Sequence, residues 1–365
     1  MNILLLTNHL NIGGITRYVL NLGYGLKKQG HKIFVGALPG WGETFLKEND
    51  IYFIKLPLRT KSIFSPGVIF SYLILERFIN EQHIELIHAQ TRITQFLASR
   101  LSKRLNIAYI STFHGFYRPH LMRRIIPCLG DLTIAISNAV GRHLIDDFNL
   151  SKENLRVVYN SIDPDLTTSI DKDYDYLRGK PTLGIVARLS AEKGHLALFS
   201  AFKKLIQDYP KARLLVVGSG RKEKELKNWV KKENLNNQVT FLGKITELGM
   251  LFKVLDVSIL PSTMEGSGFS ILEAQASGVP VVASRVGGIT EIIKDRETGI
   301  LIEPGNSDDL YRGIKLILED NLMRERIVRD AKRQLGQRFN LEGMVRQVES
   351  IYNELLNQNR KNEKA

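Results

Sequence analysis

Val257-Ser258-Ile259-Leu260, then Glu265-Gly266-Ser267-Gly268-Phe269-Ser270-Ile271-Leu272-Glu273, then Gly278-Val279-Pro280-Val281-Val282 follow one another in this chain of 365 residues. The first run is apolar and predicts a buried strand. The second is a glycine-bearing turn that feeds a helix. The third is a helix stop followed by another strand. A strand, a glycine-rich loop and a helix start make an anion site, because unpaired backbone N–H groups and the helix dipole both favour negative charge there. Two carboxylates, Glu265 and Glu273, have no use around a bare phosphate. They fit a ligand that also carries hydroxyls needing strong acceptors, as a sugar or a ribose does. The competing local reading is a capping box of Ser270 and Glu273, with Glu265 a solvated loop acid. This stretch alone does not separate the two.

Outward from it, the same alternation fills the chain. Strand-like runs stand at 2–7, 32–38, 51–56, 85–90, 107–113, 132–137 and 155–160, then at 182–188, 212–218, 239–243, 257–261, 280–284 and 299–303. Helical patterns occupy gaps such as 15–29, 66–81, 92–105, 193–208, 221–233, 307–319 and 321–337. Strands alternating with helices predict parallel sheets covered on both faces, an α/β class. The length suits two domains. The polar stretch from Asp163 to Pro181 reads as the connection between them. Its Asp171, Asp173 and Asp175 resemble the start of a calcium loop, but the required glycine and closing glutamate are missing.

Composition narrows the class. At 43% hydrophobic residues, the chain is globular and not disordered. No apolar run is long enough to span a bilayer. The opening Met1-Asn2-Ile3-Leu4-Leu5-Leu6 reads as a strand and not as a signal peptide. The single cysteine, Cys128, rules out an internal disulfide and a cysteine-built zinc site, and reads as a small buried hydrophobe. Cytosol is the expected location. A formal net charge of +13 asks for an acidic partner. Between Arg100 and Arg142 stand Lys103, Arg104, Arg118, Arg123 and Arg124, with Asp131 the one acid. Cations mixed with large apolar residues in Pro119–Pro127 fit either an anionic membrane surface or an ordinary amphipathic helix.

Both halves open on a strand, a glycine-bearing turn and a helix: Leu4-Leu5-Leu6-Thr7-Asn8 into Asn11-Ile12-Gly13-Gly14-Ile15-Thr16-Arg17, and Gly184-Ile185-Val186-Ala187-Arg188 into Leu189–Gly194. Open parallel sheets bind ligands at the carboxyl ends of their strands, so two such sheets predict a cleft with each half of a ligand held from one side. The first turn lacks the spaced glycines and the strand-end acid of the dinucleotide fingerprint, which disfavours a nicotinamide enzyme. Gly13-Gly14 instead lets backbone approach a ligand closely. Arg188 at a strand end and Lys193 at a helix start would project to the cleft mouth. There they would neutralise a diphosphate without a metal, the competing reading of each taken singly being an ordinary solvated surface cation.

These pieces together resemble the retaining glycosyltransferases of family 4, with the GT-B fold of two facing Rossmann-like domains. The resemblance spans nearly the whole chain. It rests on Gly13–Arg17, Phe113-His114-Gly115, Val158–Asp163, Ala187-Arg188-Leu189 through Lys193-Gly194, Val217-Gly218-Ser219-Gly220, Phe241-Leu242-Gly243, the two glutamates Glu265 and Glu273, and Thr298–Leu301. The resemblance implies an N-terminal acceptor domain over 1–165, a linker over 166–181 and a donor domain over 182–340. A last helix over 341–356 would cross back onto the first domain, with a frayed tail over 357–365. It implies that Glu265 lies beside the donor sugar and that Glu273 accepts from the ribose hydroxyls. Arg188 and Lys193 would hold the diphosphate, Gly14 would reach the phosphates, and His114 would bond the sugar. Gly218, Gly243 and the N–H groups of Ser267, Gly268 and Phe269 would complete donor binding. Ser267 stands where the family has an apolar residue, which bears on sugar identity more than on the reaction.

The implied activity is retaining, metal-independent hexosyl transfer from a nucleoside-diphosphate sugar to a glycan or lipid-linked hydroxyl, with no other cofactor. The leaving phosphate would take the acceptor's proton on the front face. The setting would be cell-envelope polysaccharide or lipopolysaccharide synthesis, on the inner face of the membrane. Rival classes are a nucleotide-sugar epimerase or hydrolase on the same fold, a sugar-nucleotide sensor, and a basic nucleic-acid binder. Nucleic acid is not the expected partner.

Overall fold

The computed structural model describes residues 1–60, 62–119, 123, 126–163, 174–246 and 248–362. Two compact units divide the chain, Met1–Asn160 with Leu341–Ala365 and Ser161–Asn340. The first carries strands β1 (Asn2–His9), β2 (Lys32–Leu38), β3 (Tyr52–Lys55), β4 (Leu86–Ala89), β5 (Ala108–Phe113), β6 (Leu132–Ala135) and β7 (Leu155–Val157). Helices α1 (Gly14–Lys28), α2 (Gly42–Glu48), α3 (Pro66–Glu81), α4 (Arg92–Leu105) and α5 (Asn138–Phe148) lie between them. The second unit has β8 (Thr182–Val186), β9 (Arg213–Val217), β10 (Val239–Gly243), β11 (Val257–Leu260), β12 (Val281–Ser284) and β13 (Ile300–Ile302). Its helices are α6 (His195–Asp208), α7 (Glu223–Lys232), α8 (Gly249–Phe252), α9 (Phe269–Ala276), α10 (Ile289–Ile292), α11 (Ser307–Glu319) and α12 (Asn321–Arg338). Helix α13 (Leu341–Asn362) returns to the first unit.

Both sheets are parallel. The order is β3-β2-β1-β4-β5-β6-β7 in one and β10-β9-β8-β11-β12-β13 in the other. Helices on both faces explain why strands such as β5 and β11 are buried along their whole length. In the second unit Leu183, Ile185, Val216 and Ile259 of the sheet pack with Phe202 of α6 and Ile314 of α11. In the first, Leu4, Leu6 and Ile87 pack with Leu75 of α3 and Leu97 of α4. The strand order reverses between β1 and β4, and again between β8 and β11. At these two points adjacent strand ends send their loops in opposite directions and leave a crevice at the carboxyl edge.

Helix α13 is held by shape and by polar contacts, one of them in the core. A Cβ on Gly25 of α1 would lie 2.3 Å from a methyl of Val345, so glycine there lets the two helices meet. His31 Nε2 lies 2.7 Å from Glu349, and the Tyr352 hydroxyl lies 2.6 Å from His88 Nδ1 in the core. Arg156 pairs with Glu354.

Two sequence expectations change. The tail expected to fray over 357–365 is helical as far as Asn362. The unit boundary falls at Asn160 and not at 165: Ile162 bridges in parallel to Asn340, which ties 161–163 to the second unit. Residues 164–173, including Asp171 and Asp173 of the expected linker, lie outside the described residues.

Candidate functional site

Backbone builds the site before any side chain does. At the carboxyl edge of the second sheet, the loops that leave β8, β9 and β10 rest on one another. Ala187 N donates to Val217 O at 3.0 Å, Leu189 N to Ser219 O at 3.1 Å, and Gly218 N to Gly243 O at 2.7 Å. Gly218 has φ 131°, and a Cβ there would stand 2.0 Å from the Ala187 carbonyl. Only glycine fits, so Gly218 has a structural task whatever the ligand. The loop after β11 joins in the same way. Gly194 has φ 69°, and a Cβ on it would fall 1.9 Å from Pro261 O. Thr263 N donates to Glu192 O at 2.9 Å, and Gly288 N donates to Glu265 O at 3.0 Å.

Onto this platform the crevice between β8 and β11 places opposite charges. Lys193, from the loop after β8, forms an ion pair with Glu265, from the loop after β11; the two side chains are only 13% and 14% exposed. The Ser262 hydroxyl lies 3.4 Å from the same carboxylate oxygen. Such a half-desolvated pair keeps a cation and a carboxylate aimed at one spot, where a ligand carrying both phosphate and hydroxyls can engage each. Arg188 differs. Its side chain is 75% exposed and pairs with Glu192 at 3.2 Å, a surface contact that holds it loosely. Burial works against ionisation of Glu192, yet the Ser190 hydroxyl, a backbone N–H, Arg188 and Lys193 together hold its carboxyl below the usual range.

Two placements differ from the sequence reading. Strand β8 stops at Val186, so Arg188 stands in the loop and not on the strand end. Lys193 closes the single turn Ala191–Lys193, and α6 starts at His195. The turn is tight because the left-handed Gly194 reverses the chain beneath Pro261.

The capping-box reading of the Glu265–Glu273 stretch does not hold. Gly268 is the N-cap of α9 and no side chain caps it, so Ser270 and Glu273 form no capping box. Ser267 and Glu273 are both buried, each 5% exposed, and Phe269 begins the helix. A glutamate folded inward on the second turn of a helix fits a carboxylate reserved for a specific role better than a solvated one. Gly243, at the end of β10, takes φ 67° with open space where a Cβ would sit.

Sequence reasoning missed three residues here. Glu192 carries both the loop contact to Thr263 and the pairing to Arg188. Gly194 fixes the turn and was legible only as part of Lys193-Gly194. His195 is 2% exposed with neither ring nitrogen hydrogen-bonded, and burial, then Lys193, push its pKa down to about 4.

The first unit has a matching edge. Gly13 caps α1 in an extended conformation with nothing within 4 Å of a notional Cβ, and Gly14 is the first helical residue. Both are exposed, so their lack of side chains leaves open room and not packing space. His114 follows β5. Its Nε2 lies 2.9 Å from Gln90 Oε1, and its ring meets Tyr18 edge-on at 4.8 Å. Burial lowers its pKa to about 3, so the ring is neutral at ordinary pH. With Gln90 Oε1 accepting, Nε2 carries the hydrogen and Nδ1 is left as an acceptor. Gln90, fully buried just past β4, is a further residue that no sequence signal marked. Beneath it His88 bridges Thr112 and Tyr352, each at 2.6 Å.

The basic stretch divides. Arg123 turns inward, 9% exposed, its guanidinium 3.9 Å from the Tyr117 ring centre. Residues 120–122, 124 and 125 lie outside the described residues. Arg104 reaches Glu76 at 3.7 Å, beside α3. Cys128 is buried as expected. Among the described residues no three His, Cys, Asp or Glu side chains gather as metal ligands, and no helix is long and apolar enough to cross a membrane.

Comparison with known proteins adds to this geometry. The family model described as glycosyl transferases group 1 matches residues 168–334, and that described as glycosyltransferase family 4 matches residues 12–166. An uncharacterized glycosyltransferase of Methanocaldococcus jannaschii is 25% identical, with 93% of this chain and 94% of that protein covered. The N-acetyl-alpha-D-glucosaminyl L-malate synthase of Bacillus anthracis is 26% identical, with 96% of each covered. Among solved structures, Anabaena HepE in complex with UDP and glucose superposes with a TM-score of 0.85 at 24% identity, covering 97% of this chain and all of that one. That likeness identifies the fold as GT-B.

Proposed function

The chain belongs to the group 1 glycosyltransferases of family 4 type, and from that premise we propose a retaining transferase that moves a sugar from a nucleoside-diphosphate sugar to a hydroxyl of a glycan or lipid-linked acceptor. The observation that carries the donor reading is the Lys193–Glu265 pair across the β8–β11 crevice, with buried Glu273 on the helix that follows. In this reading the diphosphate draws Lys193 away from Glu265 and is joined by exposed Arg188, whose guanidinium suits phosphate oxygens. Glu265, released, orients the sugar hydroxyls. Glu273 accepts from the ribose, and the entry to α9, through Ser267, the N-cap Gly268 and Phe269, adds backbone N–H groups and the positive dipole end of the helix. In the first unit taken by itself, neutral His114 keeps Nδ1 as an acceptor suited to a hydroxyl, and exposed Gly13-Gly14 leave backbone open to a ligand.

The chemistry asked of these residues is stabilisation of charge growing on the leaving diphosphate, opposite an oxocarbenium-like sugar. A front-face path needs no protein nucleophile, since the leaving oxygen accepts the acceptor's proton. Protein cations carry the neutralising role in this scheme, so the proposal includes metal independence.

The UDP and glucose bound in the HepE structure, and the N-acetyl-alpha-D-glucosaminyl group in the name of the Bacillus relative, make UDP-sugars the first to try. A thermal-shift panel of UDP-, GDP- and ADP-sugars tests the site, followed by a transfer assay with and without chelator. One base giving a clear upward shift, with turnover unchanged in chelator, is the expected result. No shift with any sugar nucleotide sinks the donor reading, and loss of activity in chelator restored by magnesium removes the metal-independent scheme.

A further inference from the structure

One face of α3 has no partner among the described residues. Ile69, Phe70, Leu73 and Ile74 are 60%, 61%, 56% and 41% exposed, and Phe64, in the turn before the helix, is 77% exposed. Their spacing puts the four helical residues on one side, while Val68, Ser71, Leu75 and Ile79 face the core. Five large apolar side chains together are far more than the scattered exposed hydrophobe that any surface carries.

Charge selects the occupant. No Asp or Glu stands between Ile51 and Leu75, where the chain has Lys55, Arg59 and Lys61. Lys55 is 71% exposed, and Arg77 and Arg104, at the far end of the helix, are 82% and 73% exposed. Arg77 and Arg104 are countered by Glu81 and Glu76, and Lys55 lies 3.8 Å from Glu43, while exposed Arg59 stands in the segment that leads into Phe64 and α3, where Gly67 meets the Pro57 carbonyl. An isologous pairing of two such faces would set these cations against their own copies. An anionic bilayer accepts both components, with aromatic and aliphatic side chains entering the headgroup boundary and lysine and arginine meeting the phosphates. We propose that the exposed face of α3, with Phe64 before it, is a docking surface for an anionic membrane. Within 119–127 the one described basic residue, Arg123, is turned into the protein. The inference needs only the surface of the first unit, and not the transfer reaction.

The test is flotation of the full chain with phosphatidylglycerol–phosphatidylcholine vesicles and with phosphatidylcholine alone, beside binding of the selected nucleotide as an independent readout. Expected is salt-sensitive flotation with the anionic vesicles only. Phe70→Ser with Leu73→Ser should reduce partitioning about a hundredfold, from the loss of two buried apolar groups, and leave nucleotide binding unchanged. The Phe70→Trp variant should show a blue shift of its emission on the same vesicles that the unaltered chain does not show. Flotation unaffected by the double substitution, an emission from the Phe70→Trp variant that vesicles leave unshifted, or no flotation of the unaltered chain would each overturn the proposal. So would a concentration-dependent dimer that the double substitution abolishes, which would give the face to a second copy. Lost nucleotide binding with retained flotation would count against the donor site alone.

Discussion

Glu265 and Glu273 have the same chemistry and different surroundings, and that difference predicts different phenotypes. Glu273 is buried on the second turn of α9, where its carboxylate is placed to serve the ribose. Glu273→Ala should weaken nucleotide binding by about tenfold to a hundredfold, the range for a lost charge-assisted hydrogen bond, with turnover of bound donor changed less. Glu265 is paired with Lys193 and competes with the diphosphate for it, so Glu265→Gln should leave nucleotide affinity undiminished or raised while lowering turnover. Calorimetry with the nucleotide and steady-state kinetics separate the two; identical nucleotide affinity in the unaltered chain and in Glu273→Ala would remove the ribose assignment. Gln90 belongs to the same scale. Gln90→Glu should place a carboxylate against His114 and raise the ring's pKa from about 3, so an acid limb of the turnover profile should move to higher pH.

At the scale of elements, the donor site is a set of loops kept together by glycine. Gly194→Ala must leave a left-handed turn or push Pro261 aside. The expected effect is about 1–3 kcal/mol of lost stability, with weakened nucleotide binding because Lys193 is the preceding residue. Urea titration alongside calorimetry checks both, and a substitution that leaves both unchanged would show that the turn is not what sets Lys193. Helix α13 gives the second element-scale prediction. Tyr352→Phe leaves His88 Nδ1 in the core without its hydroxyl, for an expected loss of about 1–3 kcal/mol in the first unit. No change in the urea midpoint would show that the contact between α13 and the core does not rest on this bond.

For the whole molecule, acid sensitivity follows from buried neutral histidines. Burial lowers the pKa of His88 and of His114 to about 3, and burial with Lys193 lowers that of His195 to about 4. Unfolded histidine titrates near 6.5, so below that pH the unfolded chain binds protons that the folded chain refuses. Stability from these groups is whole above about 6.5 and falls as pH drops toward 3, by up to about 1.4 kcal/mol per pH unit for each ring. Urea midpoints across that window should fall steadily. His88→Gln should flatten the slope; an unchanged slope would show that His88 is not a source of it.

The sequence by itself determined the alternation of strands and helices, and with it two parallel sheets. Apolar runs buried on both faces and periodic helices are local properties that each segment shows alone. It also marked Lys193, Arg188 and the two glutamates, because a helix start after a strand end is an anion site wherever it occurs. Only the tertiary structure decided that Lys193 and Glu265 meet, since strand order places β8 beside β11 across a long gap in sequence. In the same way it buried Glu273, made Gly218 structural, brought Gln90 to His114, turned Arg123 inward and left one side of α3 bare. Each of these depends on which distant surface arrives opposite a side chain, and periodicity and spacing carry no record of that.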